Sequence, residues 1–160
     1  MKMATAVSIE KVGRNAEDNY RQGFFCSEAV MESIITNFEL DIPEEVMAMA
    51  SGFPAGIGRS GCVCGALAGA TMASGLFFGR IKKGDPKVEK NLAIASELHD
   101  YFKGATGKNV VCCRILTRGF DMSKGEHKEQ CINFTGMVAR KFAEIIVREQ
   151  NLMNMDEDVS

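Results

Sequence analysis

The feature that most constrains this fold is a run without charged residues, from Ser60 to Gly79. It consists mostly of Gly, Ala, Ser and Cys, and each helical glycine costs about 1 kcal/mol relative to alanine. So many small residues therefore indicate a helix that other backbones approach closely. We predict a buried central helix over residues 62–79 rather than a membrane span, because small residues give a weak insertion score.

The flanking segments carry apolar residues at three- and four-residue spacing, which predicts amphipathic helices. The expected helices cover residues 5–21, 25–38, 44–50, 87–103 and 130–149, with one or two further turns in 110–116. Ten Met, ten Phe and few β-branched runs favour helix over sheet. We predict an all-α fold: one domain, residues 1–160, with about six helices around the small-residue helix and a flexible acidic tail at 151–160.

The composition excludes several function classes. The net charge is −2, the pI is about 5.8 and there is no basic block, so we expect no nucleic-acid partner. The first nine residues lack the apolar run of a signal peptide, which predicts a cytoplasmic protein. Six cysteines in that reducing compartment favour redox or metal chemistry over structural disulfides, although free cysteines also serve as small buried hydrophobes.

Four of the six cysteines share one description: each lies in or near the first turn of a predicted helix, on or beside its apolar face. They are Cys26, Cys64, Cys113 and Cys131. The free N–H groups and dipole of a helix N-terminus favour a thiolate there. We hypothesise that the four helix starts converge into a positively polarised pocket, suited to thiolates or to an anionic cluster held by them.

Local spacing gives weaker signals. The chain has no C-x-x-C pair of a zinc ribbon or ferredoxin and no C-x-x-C-H haem motif. Residues 56–61 satisfy G-x-G-x-x-G, but the preceding segment is predicted helical, so a dinucleotide site is rejected. The loop still offers N–H groups to an anion or to cluster sulfides, with Arg59 as a positive neighbour; the alternative is a tight turn between helices.

Several stretches together resemble the C_GCAxxG_C_C family of small redox-active proteins. They are Phe25-Cys26-Ser27-Glu28-Ala29-Val30, the loop from Gly52 to Arg59, Cys64-Gly65-Ala66-Leu67-Ala68-Gly69, Cys113-Arg114-Ile115-Leu116 with Gly119-Phe120-Asp121, and Cys131. The resemblance implies a helical protein of mostly anaerobic prokaryotes, related to the cysteine-containing domain of split-Soret cytochrome c. It also implies a homodimer and an iron–sulfur site, 2Fe–2S or 4Fe–4S, held by Cys26, Cys64, Cys113 and Cys131.

Two cysteines and two histidines remain beside this set. Cys62 and Cys112 are secondary ligand candidates, resolving thiols or spectators, because helix geometry places them on other faces than Cys64 and Cys113. His99 is expected to be a core or interface residue and His127 a solvated one. A metal-ligand role is a minor alternative for each.

Three functions stay open from the sequence. The first is a protein with an iron–sulfur cluster for electron transfer or redox sensing, with an unknown redox partner and a cluster that aerobic preparation could leave absent. The second is a metal-free thiol–disulfide protein, and the third a structural zinc-binding or helical interaction protein. No catalytic residue is assigned, and enzyme activity is left open.

Overall fold

The computed structural model describes residues 1–157, and these form one helical domain with a two-stranded parallel sheet at its edge. The elements in chain order are β1 (Ala6–Val7), α1 (Ile9–Arg21), α2 (Cys26–Asn37), α3 (Glu45–Ala48) with a 3₁₀ turn (Met49–Gly52), α4 (Gly65–Phe78), α5 (Val88–Ala105), α6 (Cys113–Leu116), a 3₁₀ turn (Met122–Lys124), α7 (Lys128–Gln150) and β2 (Met153–Asn154). The predicted all-α fold is confirmed. In the described part of the chain, no helix combines the length and apolarity that crossing a membrane requires.

Helix α4 is the centre of the domain and packs against α2, α5 and α7. Its last turn carries Phe77, whose ring makes edge contacts with Phe38 at 5.6 Å and with Phe142 at 5.9 Å between centroids. Such pairs contribute about 0.5–1.5 kcal/mol beyond the area they bury. The aromatic cluster therefore lies at the C-terminal end of α4 and leaves the N-terminal end to the cysteines.

The glycines of α4 allow the close packing that the sequence predicts. A Cβ atom at Gly69 would lie 2.5 Å from the carbonyl oxygen of Ser27 in α2 and 2.9 Å from its Cα atom. The Ser27 hydroxyl is buried in the same contact and donates to the Ala50 carbonyl at 2.8 Å. The backbones of α2 and α4 thus meet directly, one residue after Cys26.

Replacing Gly69 by alanine is expected to lower the free energy of unfolding by about 1–3 kcal/mol, because the Cβ atom would meet rigid backbone of α2. Gly75, on the same helix, has open space at its Cβ position. Gly75→Ala is therefore expected to raise the free energy of unfolding by about 0.5–1 kcal/mol. Urea denaturation of both variants measures the two effects, and equal changes would contradict this account of α2–α4 packing.

The segment after α7 belongs to the acidic tail, residues 151–160, that the sequence predicts to be flexible, and it contains the second strand of the sheet. β2 pairs with β1 in parallel, with Met153 opposite Ala6 and Asn154 opposite Val7. The Asp156 carboxylate then accepts hydrogen bonds from the Ser8 hydroxyl at 2.5 Å and from the Glu10 amide at 3.0 Å. Residues 151–157 are therefore tied to the start of α1; the last three residues of the predicted tail lie outside the described residues.

Candidate functional site

The four cysteines singled out in the sequence line one cavity of about 930 Å³. Cys26 is the first residue of α2, Cys64 is the N-cap of α4, Cys113 is the first residue of α6, and Cys131 lies in the first turn of α7. The structure thus brings together thiols from four separate elements. Their role as ligands stays a prediction.

An unusual backbone turn forms one wall of this cavity. Residues 55–59 all have positive φ, from 53° to 74°, so the chain makes a left-handed turn that includes Ala55, Ile57 and Arg59. Each non-glycine residue in this conformation costs about 1–2 kcal/mol, and a β-branched residue is a rare case. The sequence predicts a glycine-rich loop here but does not predict left-handed geometry at these three residues.

Hydrogen bonds hold the left-handed turn closed. The amide of Gly58 donates to the Gly52 carbonyl at 3.0 Å, and the amide of Gly61 donates to the Ala55 carbonyl at 3.1 Å. The Ala55 amide is directed at the Cys26 sulfur, where it lowers the pKa of the thiol against the larger effect of burial. Strained backbone persists where the surroundings fix it, and such strain clusters at ligand-binding sites.

Replacing Ile57 by glycine is expected to stabilise the protein by about 0.5–1 kcal/mol, since relief of left-handed strain exceeds the entropic cost of glycine. Its neighbour Gly58 also has positive φ and has open space at its Cβ position. Gly58→Ala is therefore expected to destabilise by about 1 kcal/mol. Chemical denaturation of both variants measures the change in the free energy of unfolding. Changes of opposite sign are expected for a left-handed turn, and changes of the same sign would contradict it.

A short backbone bridge joins the segments that carry Cys64 and Cys113. The amide of Cys64 donates to the Val111 carbonyl at 2.7 Å, and the amide of Cys113 donates to the Cys62 carbonyl at 2.6 Å, around the antiparallel pair Val63–Cys112. This pairing fixes the two thiols relative to each other. The secondary candidates Cys62 and Cys112 are not part of the cavity lining, and Cys62 is exposed.

Burial raises the pKa of each cavity thiol. For Cys131 burial, together with the charges of Cys26 and Cys113, raises the pKa to about 12. For Cys64 burial raises the pKa despite the opposing N–H groups of Ala66 and Leu67. In the metal-free protein, burial therefore opposes the thiolate form that the helix starts favour, and burial is the larger effect. A bound metal would favour loss of these protons, since cysteine binds metals as the thiolate.

The charged side chains that line the cavity are cationic. They are Arg21, Arg59, Arg114 and Lys128, and no carboxylate joins them among the described residues. The Arg59 guanidinium lies over the Phe25 ring, 5.9 Å from its centroid, and Arg114 donates to the Ser60 carbonyl at 2.9 Å. In a chain of net charge −2, this arrangement favours an anionic occupant.

Tyr20 and His127 also line the cavity, although the sequence analysis did not assign them to it. Tyr20, in the last turn of α1, lines the cavity, and its pKa is raised by burial and by the charges of Cys131, Cys26, Cys113 and Cys64. The sequence places Tyr20 on the apolar stripe of α1. It gives no signal that Tyr20 lies near the cysteines, because that depends on how α1 packs against the other helices.

His127 was predicted to be solvated, and in the structure it is half-buried. It lines the cavity, and its Nδ1 atom is buried without a hydrogen-bond partner among the described residues. Burial and the neighbouring Lys128 lower its pKa, so the ring is neutral at neutral pH. His99, predicted as a core or interface residue, is exposed in this chain and contacts Asp100 at 3.0 Å, so the core alternative is wrong and the interface alternative stays a prediction.

The cavity cysteines differ in how well they suit the two kinds of metal group that the sequence suggests, a zinc ion and an iron–sulfur cluster. The described residues contain no group of three or more His, Cys, Asp or Glu side chains placed to hold one metal ion. A zinc ion needs its sulfur ligands about 2.3 Å away, all around one centre. An iron–sulfur cluster is larger and distributes four cysteines over several iron atoms. Cysteine thiols are the ligand type that iron–sulfur clusters use, so the four cavity residues match a cluster in donor type, and the cationic lining matches its negative charge. Whether a cluster is bound stays a prediction.

Comparison with known proteins places the chain in a family. The family model described as "Putative redox-active protein (C_GCAxxG_C_C)" matches residues 24–145. The chain belongs to this family. The match contains all four cavity cysteines of this C_GCAxxG_C_C protein, together with the left-handed turn and the Val63–Cys112 bridge. No curated protein and no solved structure matches the chain significantly.

Proposed function

We propose that this C_GCAxxG_C_C protein is a one-electron carrier or redox sensor whose four cavity cysteines hold an iron–sulfur cluster. The observation that supports this most is the convergence of Cys26, Cys64, Cys113 and Cys131 on one cationic cavity. The family described as redox-active gives the same general function. When bound, a cluster supplies reversible uptake of one electron, exchanged with an external one-electron carrier protein.

The chain's own residues would prepare the cavity for such a group. The sulfurs would serve as ligands after losing their protons, and the N–H groups of Ala55 and Ser27 already face the Cys26 sulfur. Arg59 and Arg114 would offset the negative charge of four thiolates. Burial of Cys64, which is 8% exposed, would keep water from that ligand. Charge, N–H groups near sulfur and solvent exposure are properties by which proteins set the reduction potential of a cluster.

The deciding experiment is to measure iron and acid-labile sulfide, with a visible absorption spectrum, on protein purified without oxygen. We expect stoichiometric iron and sulfide and a visible band that bleaches on reduction. Zinc is measured in the same sample. A colourless protein free of iron and sulfide, with thiols that convert reversibly to disulfides, would overturn the proposal in favour of thiol–disulfide exchange.

A further inference from the structure

Helices α1 and α7 run antiparallel at very close range. The space at Gly136 is occupied by the Glu17 side chain, and the space at Gly13 is occupied by Arg140. Arg140 also pairs with the Glu17 carboxylate at 2.9 Å and with Glu10 at 3.1 Å. These contacts fix the register: residues later in α1 lie beside residues earlier in α7.

One further helical turn along this register leads to the cavity. From Glu17 to Tyr20 is about one turn of α1, and the matching step from Gly136 leads to Ile132 and its neighbour Cys131. Tyr20, Cys131 and Ile132 all line the cavity. Tyr20 thus lies in the same cavity as the thiols, beside the start of α7 that carries Cys131.

The Tyr20 phenol and the Cys131 sulfur have the chemistry of a hydrogen-bond donor and acceptor. A phenol is protonated at neutral pH and donates through its hydroxyl, and a ligated cysteine sulfur accepts. The Thr135 hydroxyl donates at 2.7 Å to the carbonyl of Cys131 and not to its sulfur. The Tyr20 hydroxyl is therefore the side-chain donor placed to reach the Cys131 sulfur from α1.

We propose that Tyr20 is a positioning residue whose hydroxyl donates a hydrogen bond to the Cys131 sulfur and thereby raises the reduction potential of the bound group. Accepting one electron adds negative charge to the ligand sulfurs, so a donor stabilises the reduced state more than the oxidised state. This inference rests on the proposed function for its effect on potential. The proposed Tyr20–Cys131 hydrogen bond itself needs no bound metal.

The chain offers a matched control because it contains two tyrosines and no tryptophan. Tyr101 lies on α5, with the Lys141 ammonium 5.2 Å from its ring centroid, and is not part of the cavity. Tyr20→Phe keeps the ring and removes only the hydroxyl. We expect it to retain parental iron and sulfide but to show a more negative midpoint potential, whereas Tyr101→Phe keeps the parental potential. An unchanged potential in Tyr20→Phe would overturn the proposal.

A fluorescence measurement on metal-free, reduced protein tests the contact separately. In Tyr101→Phe protein the tyrosine emission comes from Tyr20 alone, and a sulfur hydrogen-bonded to the phenol quenches it. Adding Cys131→Ser is expected to increase this emission, while adding Cys62→Ser leaves it unchanged. Equal emission in both double variants would overturn the Tyr20 assignment. If the protein contains no iron, and Cys131→Ser raises the emission while Cys62→Ser does not, the proposed function fails and the hydrogen bond stands.

Discussion

Replacing Cys64 by serine is expected to lower the affinity for the bound group by about 100-fold or more while leaving the helical fold intact. Loss of a residue that only supports a metal ligand typically costs 10–100-fold, so loss of a ligand reaches or exceeds that range. Serine presents a harder oxygen donor that does not replace a thiolate on iron. Iron and sulfide content of the anaerobically purified variant measures the effect.

The fold should tolerate this change for a local reason. Cys64 is the N-cap of α4, and serine is among the residues that N-cap positions prefer. Far-ultraviolet circular dichroism of Cys64→Ser is therefore expected to match the parent protein. Cys62→Ser is the control, because Cys62 is exposed and outside the cavity lining, and it should retain full iron content. Full iron in Cys64→Ser would remove Cys64 from the ligand set.

Replacing Gly65 by alanine is expected to abolish binding of the same group without removing any thiol. A Cβ atom at Gly65 would overlap the Cys26 sulfur, and it would also lie 3.4 Å from the Phe53 carbonyl oxygen and from the Pro54 Cα atom. The Cys26 sulfur must then move, because the new Cβ atom is already in van der Waals contact with the Phe53 and Pro54 backbone. Overpacking of this kind also costs about 1–3 kcal/mol of stability.

The Gly65→Ala variant is compared with Gly75→Ala, which changes the same helix where the Cβ position is open. Gly75→Ala is expected to keep parental iron and sulfide. Iron content and thermal unfolding of the two variants separate displacement of a ligand from a general effect on α4. Parental iron in Gly65→Ala would show that the Cys26 sulfur is free to move, and would contradict this account.

The sequence predicted the parts of the fold that depend on local signals. Apolar spacing located the helices, and the position of Cys26 and Cys113 at the starts of α2 and α6 followed from it. The small residues of α4 indicated close packing, which the contact between Gly69 and Ser27 shows. Short strands such as β1 and β2 leave too brief a pattern to be predicted.

The rest of the site depends on tertiary structure. Left-handed φ at Ala55 and Ile57 has no sequence signal, because these residues normally avoid that region and only their surroundings hold them there. Tyr20 and Cys131 line the same cavity because of the register between α1 and α7, two helices far apart in sequence. The direction of the thiol pKa shifts also depended on burial by distant segments, which outweighs the helix N-termini that the sequence could locate.

The distribution of the four thiols along the chain has a consequence for how the protein matures. Cys26 comes from the second helix and Cys131 from the last long one, so the cavity does not exist until α7 has docked against α1 and α2. Contacts of such sequence separation form late, since the loop between them must close first. A nascent or truncated chain thus offers separate thiols and no receptor for a cofactor. Loading of the cavity would mark the molecules whose folding is complete.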